Sequence, residues 1–440
     1  MKYQSYQLRN YTSVKGIDKL TAADRRAIEI TGQVLPFKVN NYVAEQLIDW
    51  DNIPEDPIFT LCFPRKEMLQ QSHFEQVERL MNAGASKEEL KNTVVKIRIA
   101  LNPHPAEQHL NVPQVDNIKL SGMQHKYRET VLFFPSQGQT CHAYCTFCFR
   151  WPQFTGMDGM RFAMKETELL VKYIKKHREV TDILFTGGDP LTMNASLISR
   201  YVNALLDNNL HNIQTIRFGT KSLAFWPYRF LSDPDSDELM RIFEKIVHAG
   251  KNLAIMAHFS HPRELSTTAV QEAIRRVRAT GAQIRTQSPV LNHINNDPAV
   301  WAEMWRKQVN HNCIPYYMFV ARDTGAKAFF ELPLADCWNI FRRAYRQVSG
   351  VCRTVRGPSM SATPGKVQIL GVNDELGEKI FVLRFLQGRN PEWVQRPFFA
   401  KYDPKATWLD TLKPAFGKQK FFFEDDPVWG NKIENESPYL

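Results

Sequence analysis

Short apolar segments alternate with longer segments whose apolar residues recur every three to four positions, from about residue 129 to residue 348. A short apolar run is typical of a buried strand, and the longer period is typical of an amphipathic helix. The pattern therefore predicts six strand–helix units. The predicted strands are residues 130–134, 182–185, 215–218, 253–258, 283–286 and 316–319, and the predicted helices are residues 165–177, 197–208, 237–248, 268–279, 299–309 and 334–348.

Strands that alternate with helices pair in parallel through right-handed crossovers. Six units are too few to close the eight-stranded barrel of the (β/α)8 fold. We therefore predict an α/β protein built on a partial (β/α)6 barrel. Its chemistry is expected in the loops that follow the carboxyl ends of the strands.

The segments on either side of this region have different patterns. Residues 1–125 are predicted to be mostly helical, with helical periodicity over 22–30 and 74–90 and a Pro- and Asn-rich loop over 101–116. After residue 350, short strands are predicted at 367–370 and 380–385, and an aromatic tail over 408–440 has no predicted function. The predicted regions are thus a helical region at 1–125, a barrel at 126–350 and a C-terminal extension at 351–440.

Composition and charge narrow the class of protein. The chain has 440 residues, of which 43% are hydrophobic and 23% charged, as in ordinary globular proteins. The formal net charge is +10, but the Lys and Arg residues are scattered, so the charge is weak evidence for nucleic-acid binding. We find no apolar run long enough for a transmembrane helix and no secretory signal. Seven cysteines, three of them clustered, favour a reducing cytoplasm over a disulfide framework.

The clustered cysteines carry the strongest chemical signal. Cys141, Cys145 and Cys148 form a C-x3-C-x2-C run after the first predicted strand. Three thiolates can hold three irons of a [4Fe–4S] cluster and leave the fourth iron open for a small chelating molecule. A structural zinc site is one alternative, although zinc commonly takes four ligands and only His142 offers a nearby fourth. Three unligated cysteines are the other alternative.

Further motifs follow the predicted strands in a fixed order. They are Gly187-Gly188-Asp189, Arg217-Phe218-Gly219-Thr220-Lys221, His258-Phe259-Ser260-His261-Pro262, Gln287-Ser288-Pro289-Val290-Leu291, Pro315-Tyr316-Tyr317 and, later, Pro364-Gly365-Lys366. Together with the cysteine run, this set resembles the lysine 2,3-aminomutase-like branch of the radical S-adenosylmethionine (radical SAM) enzymes. The resemblance covers about residues 40–405.

The resemblance implies an isomerase with three cofactors: a [4Fe–4S] cluster on the three cysteines, S-adenosylmethionine (SAM) and pyridoxal 5′-phosphate (PLP). It implies that Lys366 is the catalytic, PLP-binding lysine and that Arg217 and Lys221 bind the PLP phosphate. In the implied reaction, a 5′-deoxyadenosyl radical takes a β-hydrogen, and the amino group then moves from Cα to Cβ. The other residues that it implies for cofactor binding are Gly187, Gly188, Asp189, His258 and Gln287.

The resemblance also implies two substrate-binding residues. Arg150 matches an arginine that pairs with the substrate carboxylate, and Asp323 matches an aspartate that holds the ε-ammonium of lysine. The lysine enzymes have a second aspartate before the PLP lysine, but residues 356–362 contain no acid, and the Pro-Gly turn before Lys366 is shorter. The predicted substrate is therefore lysine or another α-amino acid.

Two alternative functions stay open from the sequence. One is a radical SAM enzyme on the same scaffold that acts without PLP on a protein side chain or RNA. The other is a non-enzymatic iron–sulfur or zinc protein. The expected partners are a small amino-acid substrate, an electron donor such as flavodoxin or ferredoxin, and further copies of the chain, all in the cytoplasm. Neither a membrane nor nucleic acid is an expected partner.

Overall fold

The computed structural model describes residues 1–102, 111–156, 162–374 and 377–427. The predicted loop over 101–116 and the predicted tail over 408–440 therefore lie partly outside the described residues. Within the described ranges, no helix is both long enough and apolar enough to cross a bilayer.

The N-terminal region contains helices and two small antiparallel strand pairs. The helices are α1 (Ala22–Val34), α2 (Pro57–Cys62), α3 (Gln71–Asn82) and α4 (Lys87–Ala100), and the pairs are β1 (Ser5–Tyr6) with β2 (Val39–Asn40) and β3 (Gln114–Val115) with β4 (Ile118–Lys119).

The helical periodicity predicted over 74–90 is divided between two helices, α3 and α4. Gly84 lies between α3 and α4 with φ +64°, a left-handed conformation that ends a helix and favours glycine. The Ser86 side chain then accepts a hydrogen bond from the Glu89 amide at 3.2 Å and caps the start of α4. Both signals were present in the sequence.

A large mixed sheet organises the rest of the described chain, and its strands are neighbours in sequence order. The strands are β5 (Met123–Tyr127), β6 (Thr130–Phe133), β7 (Asp182–Phe185), β8 (Thr215–Thr220), β9 (Asn252–His258), β10 (Gln283–Val290), β11 (Ile314–Val320), β12 (Arg356–Ser361), β13 (Gly365–Asn373), β14 (Ile380–Gly388) and β15 (Pro397–Lys401). Strands β6 to β12 pair in parallel, whereas β5 and β13 to β15 are antiparallel to their neighbours.

Helices connect the parallel strands. They are α5 (Thr167–Lys176), α6 (Ala195–Leu206), α7 (Ser222–Phe225), α8 (Ser236–His248), α9 (Thr268–Ala279), α10 (Pro298–Asn310), α11 (Lys327–Phe330) and α12 (Leu334–Tyr345). The six predicted strand–helix units are confirmed, and their bounds agree to within a few residues at most ends. The sequence missed β5, β12 and β15. In β12 the reason is Pro358, since proline usually argues against a strand inside a sheet.

The two sides of the sheet approach each other. The Lys126 ammonium on β5 donates a hydrogen bond to the Ala362 carbonyl oxygen between β12 and β13 at 2.5 Å. β5 is an edge strand, and β12 and β13 lie seven and eight strands away from it in the sheet, so the contact requires the sheet to curl. The curled sheet with its outer helices confirms the partial (β/α)6 barrel. The division into three regions stays a prediction, and β12 to β15 continue the barrel sheet past residue 350.

Alternate residues on each strand face the helices or the interior of the curl. Phe133, Phe185 and Phe218 are fully buried and form a row of ring contacts. Phe133 meets Phe185 edge-on with centroids 5.6 Å apart, and Phe185 stacks on Phe218 with centroids 5.0 Å apart. On β8, Arg217 and Gly219 alternate with these buried positions and are partly exposed. The alternation therefore gives the strands an aromatic outer face and leaves polar groups for the interior.

We expect Phe185→Ala to lower the free energy of unfolding by about 3–5 kcal/mol, because it removes a fully buried ring from this stack. Phe399→Ala is the matched control: its ring is 37% exposed, so we expect a loss of about 1 kcal/mol or less. Denaturant-induced unfolding of both variants checks this. Equal losses in the two variants would contradict the assignment of Phe185 to the core.

Candidate active site

The cysteine loop, residues 141–148, follows β6 and lies across the carboxyl ends of the other strands. The His142 Nδ1 atom lies 2.9 Å from the hydroxyl of Ser222, just after β8. The Phe147 ring stacks on His258 at the end of β9, with centroids 6.0 Å apart. The curl therefore brings the loop over the position where chemistry is expected in this fold.

The N-terminal region binds the backbone of this loop. The Tyr144 amide donates to the Lys38 carbonyl at 2.8 Å, and the Thr146 amide donates to the Leu61 carbonyl at 2.9 Å. The Lys38 ammonium donates to the Cys141 carbonyl at 2.7 Å. These bonds fix the backbone of the loop without using the three thiols.

The three thiols are neighbours in an environment that resists ionisation. Burial raises the pKa of Cys145 to about 12 and that of Cys148 to about 11. Burial also raises the pKa of Cys141, and the nearby carboxylate of Asp189 adds to this. The three cysteines form no disulfide, and bound metal would deprotonate them despite their burial, so the donor set fits a metal cluster.

A closed zinc site with His142 as fourth ligand receives no support from the geometry. The His142 ring bonds to Ser222 and stacks on Trp226 with centroids 6.4 Å apart. Burial lowers its pKa to about 3, so the ring is neutral. Among the described residues, no three His, Cys, Asp or Glu side chains are grouped closely enough to hold one ion.

The predicted glycines pack against the start of the cysteine loop. A Cβ atom at Gly188 would lie 2.4 Å from the Thr140 carbonyl oxygen, and one at Gly187 would lie 2.2 Å from the Gln139 side chain. Gly187 also has φ +137°. At Gly188 a larger residue would therefore collide with the protein's own backbone just before Cys141, and at Gly187 it would collide with the Gln139 side chain.

Asp189 connects the loops that follow β6, β7 and β8. Its amide donates to the Thr140 carbonyl at 2.6 Å. Its buried carboxylate accepts bonds from the Thr220 hydroxyl at 2.7 and 2.8 Å, from the Lys221 amide at 2.8 Å and from the Ser222 hydroxyl at 3.0 Å. This geometry makes Asp189 a positioning residue rather than one that presents a free carboxylate.

The sequence predicted that Arg217 and Lys221 bind one phosphate together, but the structure gives each of them its own carboxylate partner. Arg217 donates to Asp182 through Nε at 2.7 Å, with a second ion-pair contact beside it. Lys221 forms an ion pair with the fully buried Glu264 at 2.7 Å. The two cations are four residues apart on one strand and its end, about 13 Å at 3.3 Å per residue.

His258, the last residue of β9, pairs with Gln287 inside β10. The Nδ1 atom of His258 is buried without a hydrogen-bond partner, and burial lowers the pKa of the ring to about 3. A buried nitrogen without a partner beside the cysteine loop fits a polar ligand there.

Lys366, on β13, is an amine without a carboxylate partner among the described residues. Its ammonium lies 4.1 Å from the ring centroid of Tyr317 and 5.5 Å from that of Phe319. Burial lowers its pKa to about 8; Arg217 and Arg356 act in the same direction, and Tyr316 acts in the opposite one. An amine that is partly neutral near neutral pH, with two cations nearby, fits an aldehyde cofactor that carries a phosphate.

Arg150, like His258, has a buried nitrogen without a hydrogen-bond partner. Its guanidinium carbon lies 4.7 Å from the ring centroid of Phe134 and 4.9 Å from that of Phe149, and its NH1 atom is buried without a partner. Burial lowers its pKa to about 10, still well above neutrality. Asp323, the other predicted substrate residue, is buried and already interacts with other groups of the protein.

Comparison with known proteins agrees with this site. The chain is 30% identical over 414 residues to an Aquifex aeolicus protein provisionally named L-lysine 2,3-aminomutase, covering 94% of this chain and 97% of that one. The chain belongs to the lysine 2,3-aminomutase-like family of radical SAM enzymes. The predicted family is thus confirmed, and with it the class of enzyme, an isomerase with a [4Fe–4S] cluster, SAM and PLP.

Other relatives of this aminomutase-like chain are more distant. The L-lysine 2,3-aminomutase of Bacillus subtilis is 22% identical over 346 residues, covering 79% of this chain and 63% of that one. The glutamate 2,3-aminomutase of Clostridioides difficile is 26% identical over 211 residues, covering 48% and 47%. No protein-family model matches the chain. A radical SAM methyltransferase structure from Sphaerobacter thermophilus aligns with a TM-score of 0.39 and 16% identity over 68% of this chain and 95% of that one.

Sequence reasoning missed three residues of this aminomutase-like site. Tyr317 lies against Lys366, Arg356 stacks on Tyr316 and Tyr317 with its guanidinium carbon 5.0 and 5.7 Å from the ring centroids, and Arg322 lies near Arg150. Each is next to or within a quoted motif. Nothing in the sequence distinguishes them from ordinary strand-end residues.

We expect Gly188→Ala to reduce the iron bound after reconstitution to about half or less, because its Cβ would meet the backbone that leads into Cys141. Gly350→Ala is the matched control, since nothing lies within 4 Å of a Cβ there. Iron and sulfide analysis together with the visible absorption of the cluster checks this. Full cluster content in Gly188→Ala would show that the close approach is not needed.

We expect PLP to bind covalently at Lys366, with a rate that rises with pH up to about 8 and is then constant, because the neutral amine reacts. Absorbance of protein-bound PLP after borohydride reduction measures this. Lys366→Ala should lose the label. Lys379→Ala should keep it, because Lys379 stacks on Tyr402 at a similar 4.0 Å but lies elsewhere. Equal labelling of the two variants would contradict the assignment.

Proposed function

We propose that the chain catalyses the migration of the amino group of a free α-amino acid from Cα to Cβ. One observation carries this proposal: Lys366 lies on the curled sheet as an amine with a pKa of about 8 and no carboxylate partner among the described residues. Such an amine is suited to hold an aldehyde cofactor, and structural lysines commonly pair with acids instead.

Each group of residues has a distinct role in this proposal. The thiols of Cys141, Cys145 and Cys148 hold the cluster, and the loop that carries them is fixed by Lys38 and Leu61. When bound, the three cofactors supply the one-electron cleavage of SAM and the carrier on which the amino group moves. The protein itself binds, orients and excludes water.

The PLP subsite is proposed around Lys366. Arg356 acts on the pKa of Lys366, so its positive charge lies close enough to attract a phosphate. Tyr317 lies against the Lys366 ammonium and accepts a hydrogen bond from Arg356 at 3.4 Å. Arg217 and Lys221 are left out of this subsite because their ion pairs with Asp182 and Glu264 already satisfy them.

The SAM subsite is proposed beside the cysteine loop, where His258 at the end of β9 pairs with Gln287 of β10. The unpartnered Nδ1 of His258 is a neutral acceptor or donor for a polar ligand. This subsite is supported indirectly by the segment Gly187–Asp189. The segment packs against residues 139 and 140 and so positions Cys141, the next residue in the chain.

Arg150 is proposed to hold the α-carboxylate of the substrate. Its planar guanidinium can donate two parallel hydrogen bonds to a carboxylate, and its buried NH1 has no other acceptor. The relatives include proteins named for lysine and for glutamate. The family alone therefore leaves the substrate side chain open.

The proposal also covers the electron donor, the oligomeric state and the location of the protein. An electron donor such as flavodoxin or ferredoxin would reduce the cluster, and the chain would associate with further copies of itself. A cytoplasmic location would suit the free cysteines and an oxygen-sensitive cofactor. The scattered cations and the polar interior favour a small substrate over nucleic acid.

The decisive test uses anaerobically purified protein with a reconstituted cluster. Dithionite, SAM, PLP and a pool of the common α-amino acids are added, and β-amino acids are sought by mass spectrometry. We expect one β-amino acid that forms only with PLP. Formation of 5′-deoxyadenosine without any β-amino acid would contradict the proposal and point to a protein side chain or RNA as target.

Two variants separate the steps. Cys145→Ser should abolish both 5′-deoxyadenosine and β-amino acid, because one cluster ligand is lost. Lys366→Ala should keep the cluster and slow β-amino acid formation by roughly 100-fold or more, since the amino acid is no longer positioned. A Lys366→Ala variant with unchanged β-amino acid formation would remove Lys366 from the mechanism.

A further inference from the structure

The unexplained group in this site is Arg322, which follows β11 at its carboxyl end. Its Nε atom is buried and has no hydrogen-bond partner, and none of the ion pairs among the described residues involves it. A guanidinium donor in such a place needs an acceptor, because a buried unpaired donor costs stability. The protein supplies none in the part of the chain that the structure describes.

Aromatic rings hold Arg322 in this position. Its guanidinium carbon lies 5.4 Å from the ring centroid of Phe149 in the loop after Cys148, and 5.8 Å from that of Trp408. Trp408 is buried, and its segment is anchored where the Leu334 amide donates to the Ala406 carbonyl at 2.8 Å. Stacking fixes the faces of the guanidinium and leaves its edge, which carries the donors, for a ligand.

Arg150 and Arg322 contact the same aromatic ring. The guanidinium carbon of Arg150 lies 4.9 Å from the Phe149 centroid, and that of Arg322 lies 5.4 Å from it. Each has a buried nitrogen without a partner. Two like charges so close together repel each other, so the arrangement favours a ligand with negative charge at both guanidinium groups.

Lys366 is on β13 and its side chain lies against β11, the strand that leads to Arg322. Its ammonium is 5.5 Å from the Phe319 centroid, and Arg322 follows Phe319 by three residues, which span about 10 Å of extended chain. An amino acid whose amino group is near Lys366 can therefore extend its carboxylates toward the two arginines. Asp323, which follows Arg322 in the chain, is buried and interacts within the protein.

We propose that the substrate is a dicarboxylic α-amino acid, with Arg150 on the α-carboxylate and Arg322 on the side-chain carboxylate. The inference rests on the proposed amino-group migration and specifies its substrate class. It assigns Arg322 a role in specificity, and it assigns Trp408 of the C-terminal extension a role in holding Arg322.

The test compares kcat/KM of the reconstituted holoenzyme for glutamate, aspartate, glutamine and lysine. We expect glutamate or aspartate to exceed glutamine and lysine by about tenfold or more. Arg322→Gln should lower kcat/KM for the dicarboxylic substrate by about tenfold or more and change that for glutamine by about threefold or less. Arg342→Gln is the matched control, because Arg342 also stacks on a tryptophan, Trp338 at 5.5 Å, but on the surface of α12.

A binding measurement gives a readout that does not depend on turnover. Glutarate, which has two carboxylates and no amino group, should bind the holoenzyme in calorimetry and lose about tenfold or more in affinity with Arg322→Gln but not with Arg342→Gln. If Arg322→Gln fails to fold, Arg322→Lys decides. It keeps the charge but not the planar fork, so it should retain the preference for dicarboxylic substrates at reduced kcat/KM.

Three results would overturn the inference. The first is a preference for lysine or glutamine over both dicarboxylic amino acids, which leaves the aminomutase activity intact. The second is an equal loss for all four amino acids in Arg322→Gln, which would mean that both arginines hold one carboxylate. The third is no glutarate binding. If no amino acid reacts although SAM is cleaved, the proposed function fails, and the glutarate result alone decides whether the site takes a dicarboxylate.

Discussion

The buried carboxylate of Asp189 accepts hydrogen bonds from Thr220, Lys221 and Ser222 after β8, while its own amide bonds to Thr140 just before Cys141. This one residue thus ties together the loops after β6, β7 and β8. Ser222 extends the connection, because its hydroxyl also contacts His142 inside the cysteine loop. The placement of the three thiols depends on this network. The carboxylate can lie at 3% exposure only because four donors satisfy it, namely the three at the end of β8 and the Leu191 amide at 3.0 Å.

The charges in and around the barrel divide into two classes. Arg217 and Lys221 have carboxylate partners, Asp182 and Glu264, and these pairs fix neighbouring strand ends. Lys366, Arg150 and Arg322 contact aromatic rings and have no such partner among the described residues. Paired cations stabilise a fold, whereas unpaired ones that are held by stacking are ready to receive an anion or a carbonyl. Whether a cation has a carboxylate partner therefore distinguishes structural residues from site residues better than whether it is Lys or Arg.

The C-terminal extension is part of the site. Strands β12 to β15 continue the barrel sheet, and β13 carries Lys366 to the interior. The turn between β12 and β13 meets Lys126 of β5, which brings the two sides of the curl together. Further along, Trp408 packs over Arg322. Six strand–helix units alone would leave the cysteine loop without the lysine and without this contact.

The sequence by itself determined the local features of this protein. Apolar periodicity predicted six strand–helix units, the cysteine spacing predicted a cluster loop, and the ordered motifs predicted the family, because each depends on residues close together in the chain. Gly84 and Ser86 could even have revealed the break between α3 and α4. Only the tertiary structure decided which cations are paired, that Gly188 approaches Thr140, and that Arg322 shares an aromatic ring with Arg150. These facts depend on contacts between residues far apart in sequence, and burial and pairing, which control charge and reactivity, exist only once the sheet has curled.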